Sequence, residues 1–313
     1  MLEGVAAVLD GYGQAVRLAD VVAQPPGAGE VLVRMVAARV GEADRALWRG
    51  TVVEPLPLVL GWEGSGVVEA IGDGVGALRA GDHVVVMADD ARAGGRGATA
   101  HARPLGTYAT YVTLPAHQAV RIHPRLPLRV AAEAGGATLA GYGAVARGSP
   151  KIIGASVLVL ELGDVGQAVL AAALAWSTAR VIAVDSRPER LAWANSLGAE
   201  AIPADHADLA RAVRQATGGT GADCAFVTGA RGPAAAATVL DLVRTGGTVV
   251  AVPQQPVGAD DLAALIERFA RDRFAVRALA GADGDLEDLS ELLAGAGEGG
   301  VPAPLVRLSF DMP

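Results

Sequence analysis

Val157–Gly166 reads VLVLELGDVG, an apolar run that ends at a glycine-containing turn and passes into a helical pattern. A buried strand entering a turn and a helix is the setting of the dinucleotide fingerprint G-x-G-x-x-G. In that motif the first glycine permits a tight turn, the second lets the backbone approach a diphosphate, and the third lets helix and strand pack closely. Gly163 and Gly166 supply the second and third, while Glu161 stands at the first. A carboxylate about 5 Å from a diphosphate charge would cost roughly 3 kcal/mol at an effective dielectric near 20, unless it turns away or is protonated. Asp185 ends the next strand, where an acid would accept hydrogen bonds from ribose hydroxyls and repel a 2′-phosphate. If a dinucleotide binds, NAD(H) is favoured over NADP(H). The alternative is that Asp185 only helps to start the following helix.

Outward from this stretch, strands and helices alternate. Strands are expected at Ser156–Leu160, Arg180–Asp185, Ala225–Val227, Thr248–Val252 and Phe274–Ala278. Helices are expected at Val165–Ala175, Pro188–Leu197, Leu209–Ala216, Pro233–Val243 and Asp260–Ala270. Ser186–Glu189 (SRPE) has the form of a capping box with Pro188 in the first turn. Repeated βα units of this length imply a doubly wound α/β domain with a parallel sheet. Before it, Leu126–Ala146 begins as a helix and should be loosened by Gly135, Gly136, Gly141 and Gly143.

The first part of the chain has another rhythm, of short strands between Gly/Pro turns. Glu30–Val40 (EVLVRMVAARV) alternates at the period of a half-buried strand, and Val67–Ile71 and His83–Met87 read alike. Ala43–Trp48 reads as one short helix in this β-rich part. Asp89–Leu105 has no apolar period and reads as a loop. Near the end, acidic Leu286–Leu293 leads to Ala303–Phe310, expected as a strand returning to the first domain.

Composition limits the function. The chain has 313 residues, 51% of them hydrophobic, enough for two domains with substantial cores. A net charge of -8 without long runs of either sign argues against nucleic acid or an anionic membrane surface as partner. The single cysteine, Cys224, excludes an intramolecular disulfide and any Cys-rich zinc cage. The N-terminus has no signal-peptide pattern, and apolar runs are broken well before membrane-spanning length. The expected location is cytoplasmic and the expected partner a small-molecule substrate.

Pro57–Asp82, PLVLGWEGSGVVEAIGDGVGALRAGD, places Gly61, Glu63, Gly66 and Gly72 at the spacing of a G-H-E-x-x-G segment, with Trp62 in the histidine position. The chain resembles the zinc-type medium-chain dehydrogenase/reductases, the alcohol dehydrogenase superfamily. The resemblance covers nearly all of it. It implies a GroES-like β-rich catalytic domain (1–125) and a Rossmann nucleotide-binding domain with its bridging helix (126–281). A C-terminal segment (282–313), shorter than usual for the family, returns to the catalytic domain.

The resemblance implies metal-ligand positions at Gly41, Trp62 and Gly136, where this sequence has no zinc-binding side chain. The four cysteines of the family's structural zinc are likewise missing from Asp89–Leu105. No zinc is therefore expected. Asp44 and Glu63 match acids held beside the family's zinc, and Glu42 lies in the proton-transfer neighbourhood, so these three are the candidate catalytic residues. Close carboxylates without a cation raise one another's pKa and can supply a general acid. Against this stand plainer roles, Asp44 as a helix cap and the glutamates reaching solvent or an arginine. A hard cation held by Glu42, Asp44 and Glu63 is a further possibility.

Trp62 either fills the volume of the absent metal or offers an aromatic wall to substrate, with Trp48 on the same lip. The implied cofactor contacts are Gly163, Asp164, Val165, Gly166, Asp185, Arg190, Thr228 and Gly229, with Pro253 a departure near the nicotinamide position. The implied function is a zinc-independent NAD(P)(H)-dependent oxidoreductase acting on an activated C=C or carbonyl. The alternative is a non-redox cyclase or isomerase, or a silent binding protein, on the same scaffold. The resemblance further implies a homodimer through the Phe274–Ala278 strand.

Overall fold

A computed structural model of the chain describes residues 2–88, 105–176, 178–228, 239–252, 262–295 and 303–308. The loop expected at 89–105 lies outside these residues except for Leu105, as do Gly229, Pro253 and most of the helix expected at Pro233–Val243.

The β-rich domain is built from β1 (Leu2–Leu9), β2 (Arg17–Ala23), β3 (Glu30–Arg39), β4 (Leu58–Val59), β5 (Glu63–Ile71), β6 (His83–Met87), β7 (Tyr111–Pro115) and β8 (Ala119–Arg121). A three-stranded sheet runs β2-β1-β4, and antiparallel β3, β5 and β6 form the centre of a larger sheet. The alternation of β3 turns Val31, Val33, Met35, Ala37 and Arg39 into the core, all fully buried. The helix α1 (Glu42–Trp48) follows that strand after two residues.

The second domain carries β9 (Ser156–Leu160), β10 (Arg180–Asp185), β11 (Glu200–Pro203), β12 (Ala222–Val227) and β13 (Val243–Ala251). They form one parallel sheet in the order β11-β10-β9-β12-β13. The order reverses beside β9, which is the switch point where α/β sheets bind ligands at their carboxyl ends. Helices α2 (Leu128–Ala132) and α3 (Gly136–Ile152) lead into this domain, and α4 (Asp164–Ala175), α5 (Pro188–Ser196) and α6 (Leu209–Ala216) link its strands. After α7 (Leu262–Arg271) and α8 (Arg273–Leu279), the chain returns through β14 (Asp283–Asp285), helix α9 (Leu289–Gly295) and β15 (Leu305–Arg307). There β15 pairs antiparallel with β3, so the end of the chain rejoins the first domain as expected.

Three local expectations are corrected. Phe274–Ala278 is not a strand but the body of α8, capped by the Asp272 carboxylate, which accepts the Ala275 N–H at 3.0 Å. Its buried residues Ala275, Ala278 and Leu279 follow helical spacing, which a five-residue window cannot separate from alternation. The strand on which the dimer expectation rested is therefore absent, and β13 ends the described sheet instead. Second, α3 runs unbroken through Gly141 and Gly143. A Cβ on Gly141 would lie 2.4 Å from the Val165 carbonyl oxygen, so that glycine brings α3 onto α4 rather than loosening it. Third, Ser186 does not cap α5. Arg187 is the N-cap, and its N–H donates to Asp185 Oδ1 at 2.8 Å.

Close backbone contact also explains Gly72 in the β-rich domain. A Cβ there would stand 1.7 Å from the Gly27 carbonyl oxygen. The substitution Gly72→Ala is expected to lower the unfolding free energy by about 2 kcal/mol or more in urea titrations. At Gly74, with φ +80 and open space around it, alanine should cost only about 1 kcal/mol.

Candidate active site

The site lies between α1, the start of β5, and the N-termini of α3 and α4. A cavity of about 170 Å³ is lined there by Gly41, Glu42, Asp44, Trp62, Glu63 and Asp164, among others. The structure thus brings together Glu42, Asp44 and Glu63. That cavity is smaller than the roughly 300–1,000 Å³ usual for ligand sites.

The centre of the arrangement is a residue the sequence reading passed over. Arg39, at the end of β3, has a side chain only 1% exposed, and its guanidinium faces three carboxylates. Its Nη1 is 3.5 Å from Glu63 and 3.4 Å from Asp164, and its Nε is 3.7 Å from Glu133. Burial alone would lower the Arg39 pKa, but Asp164, Glu63 and Glu133 together hold it above the ordinary value. The signal was legible in principle. Arg39 shares the parity of Val31, Val33 and Met35, and a charge on a core face requires partners.

Each implied metal-ligand position has been put to another use. At Gly136 the backbone N–H donates to Glu63 Oε2 at 2.7 Å, so Glu63 closes the N-terminus of the 17-residue α3. A Cβ on Gly135 would sit 2.0 Å from the same carboxylate, which explains a glycine there. At Gly41 the N–H donates to Asp44 Oδ2 at 3.0 Å, so Asp44 does cap α1. A Cβ on Gly41 would stand 3.1 Å from Asp164 Oδ2. Trp62 is partly buried against the β-rich core and lines the cavity, consistent with filling volume.

This donor set does not fit zinc. Glycine, tryptophan and glycine offer no side-chain ligand, and among the described residues no group of three or more His, Cys, Asp or Glu is arranged to hold a metal ion. The hard-cation possibility at Glu42, Asp44 and Glu63 has no support from that geometry. Trp48 is not among the cavity-lining residues; its indole N–H donates to the Gln14 carbonyl at 2.7 Å and fixes a neighbouring turn.

Burial sets the protonation of the acids. It pushes the Asp44 carboxyl up to about 7 and Glu133 up to about 8. Glu63 is also raised by burial, against the opposing pull of Arg39 and the Gly136 N–H. Tyr108, fully buried beside Asp44, donates to the Arg39 carbonyl at 3.1 Å.

The dinucleotide turn keeps its backbone form. Glu161 adopts φ +70, the left-handed conformation that a glycine would take at this first position. A Cβ on Gly166 would lie 1.9 Å from the Glu161 carbonyl oxygen, so helix and strand pack as the third glycine allows. The Thr228 hydroxyl, at the end of β12, lies 2.9 Å from the Leu160 carbonyl oxygen and 2.5 Å from that of Glu161. Asp185 is buried, and its second oxygen accepts the Leu162 N–H at 2.6 Å. Both its oxygens thus serve the turn and the start of α5, the plainer of the two roles considered for it.

Glu42 faces this turn from across the cleft. Gly163 is the N-cap of α4, and a Cβ on it would lie 3.0 Å from Glu42 Oε2. Glu42 is ion-paired with Arg190, which also lies 3.5 Å from Asp185. The Glu42 N–H donates to Asp164 Oδ2 at 2.9 Å.

A two-domain architecture of GroES-like and Rossmann type, with a cleft at the sheet's switch point, defines an alcohol dehydrogenase-like protein. Residues 27–124 match the alcohol dehydrogenase GroES-like domain and residues 165–294 the zinc-binding dehydrogenase domain. The chain belongs to the medium-chain dehydrogenase/reductase, or alcohol dehydrogenase, superfamily of oxidoreductases. It is 29% identical over 282 residues to "Putative alcohol dehydrogenase D" of Mycobacterium tuberculosis, across 80% of this chain and 77% of that one. An alcohol dehydrogenase zinc-binding domain protein from Burkholderia ambifaria is 27% identical, with a TM-score of 0.80 over 99% of this chain and 100% of its own. Benzyl alcohol dehydrogenase from Acinetobacter calcoaceticus shares the fold at 22% identity, with a TM-score of 0.82 over 99% and 100%. No described helix is long and apolar enough to cross a membrane.

The raised Asp44 pKa carries a sign that can be measured. The folded state holds a proton that the unfolded state releases between 3.8 and about 7, so this contribution falls as pH rises through that window. Relative to Asp44→Asn, the wild-type stability in urea titrations should decline at up to about 1.4 kcal/mol per pH unit there. A pH-independent difference between the two would contradict the assignment.

Proposed function

We propose that the chain is an oxidoreductase that works without a catalytic zinc, reducing an activated C=C or carbonyl of a small molecule and preferring NAD(H) to NADP(H). The observation that supports it is the pairing of a kept dinucleotide turn with a lost metal site. Glu161 holds the left-handed turn and Gly166 the close packing, while Gly41, Trp62 and Gly136 offer no ligand side chain.

When bound, the dinucleotide supplies the hydride. Gly163, Val165, Gly166 and Thr228 would shape its turn, and Asp185 disfavours a 2′-phosphate through its charge. Without a Lewis acid the substrate must already be polarised, as a conjugated alkene or carbonyl is. The chain then has to provide the proton. Asp44 is the best placed of the three candidate acids, because it lines the cavity and burial keeps it protonated up to about pH 7. Glu63 is engaged with Arg39 and Gly136, and Glu42 with Arg190. Trp62 supplies the aromatic wall.

A second reading, a non-redox cyclase or isomerase or a binding protein, is favoured by the Glu42 carboxylate lying against Gly163. The two readings separate in one set of assays. Saturable NADH binding is expected, together with NADH oxidation in the presence of a conjugated enone, undiminished by 1,10-phenanthroline. Asp44→Asn should lower kcat about a hundredfold with little change in NADH affinity. Loss of turnover on chelation would end the zinc-free proposal, and no binding of NADH or NADPH at millimolar concentration would leave the non-redox reading.

A further inference from the structure

We propose that Glu42 is an intramolecular plug, a carboxylate that occupies the diphosphate position of α4 and must leave before a dinucleotide can enter. The inference rests on the reading that this chain binds a dinucleotide, and concerns how that binding is controlled.

The turn from β9 to α4 is formed for close approach, with Glu161 at φ +70 and Gly163 as the N-cap of a 12-residue helix. The first N–H groups of such a helix have no intrahelical partners, and they attract an anion. A carboxylate that stands close to this turn belongs to the other domain. Glu42 Oε2 would lie 3.0 Å from a Cβ on Gly163, so any side chain or ligand atom at that point meets this carboxylate first.

Glu42 is held in place from both sides of the cleft. Its other oxygen is paired with Arg190 on α5, whose side chain is 15% exposed and also reaches Asp185. Its backbone N–H donates to Asp164, the first residue of α4, and Asp164 in turn is 3.4 Å from the buried Arg39. These contacts join α1 and β3 to α4 and α5 across the interdomain cleft. The Glu42 side chain remains 51% exposed, so it can swing out to water without a large desolvation change.

The exchange is electrostatically competitive. A diphosphate entering beside Gly163 would face the Glu42 and Asp164 carboxylates while Arg190 is already ion-paired with Glu42. With Glu42 displaced, one like charge is removed and Arg190 is released from it toward the incoming phosphates. Binding is thereby linked to opening of the cleft, and the measured affinity is reduced by the fraction of molecules in the plugged form.

The test is titration of the full-length wild type, Glu42→Ala and Glu42→Gln with NADH, followed by calorimetry. Hydrogen–deuterium exchange of the peptide covering residues 161–168 gives a second readout, without ligand. Glu42→Ala should bind NADH at least about tenfold tighter than wild type, with Glu42→Gln between them, and residues 161–168 should exchange faster in Glu42→Ala. If wild type fails to bind at millimolar concentration but Glu42→Ala binds, the plug stands and the native chain is not a dinucleotide enzyme. If wild type binds and Glu42→Ala binds no tighter, the plug is overturned while the cofactor reading survives. If neither binds and both keep the wild-type melting transition, both ideas fall.

Discussion

The buried guanidinium of Arg39 is the interaction on which the site depends. It is a charge placed on the core face of a strand, where an isolated ion would be untenable, and it is matched by carboxylates from β5, from the residue after α2 and from the first turn of α4. These segments belong to both domains. Arg39 therefore links the β-rich and Rossmann parts at one point in the cleft, in addition to the pairing of β15 with β3. Burial raises the Glu133 and Glu63 pKa values against the pull of Arg39, and the neighbouring carboxylates add to the rise. Breaking such a group by removing the arginine would strand several buried acids, an effect of about 3–5 kcal/mol by analogy with other buried pairs.

The same charges surround the three positions at which the family's metal ligands would stand. Glycine at 41 lets Asp164 come close, and glycine at 135 lets the Glu63 carboxylate reach the Gly136 N–H at the start of α3. Trp62 takes volume on the third side. At Gly41 and Gly136 the side chain is absent and a neighbouring acid accepts the backbone N–H. The cleft is acidic, but its acids are committed to backbone N–H groups and arginines, with Asp44 the one most removed from an ion pair.

Much of this was legible in the sequence. The alternation of strands and helices located the parallel sheet, and the glycine spacings identified both domains. What failed did so for definite physical reasons. Phe274–Ala278 is too short for periodicity to decide, and the Asp272 cap that makes it helical lies just outside the run. Gly141 and Gly143 looked like helix breakers, yet Gly141 answers to a neighbouring helix 24 residues further on. Trp48, expected on the lip beside Trp62, instead directs its indole N–H to Gln14. The Glu42–Arg190 pair joins residues 148 apart, and no local pattern can announce a contact of that span.

Asp185 shows why a motif can outlast the certainty of its meaning. An acid at the end of the second strand of such a sheet is ordinarily read as a ribose contact. Here its two oxygens already accept N–H groups from Leu162 and Arg187, and it lies beside Arg190. The first bond holds the turn after β9, and the second sets the start of α5. Both are needed by the fold whether or not a nucleotide is present, because a buried N–H without an acceptor costs about as much as the bond itself is worth. The acid, the turn glycines and the strand before them therefore identify the architecture with more authority than the ligand. The ligand question passes to the residue that faces the turn from across the cleft, Glu42, which is held by Arg190 and Asp164.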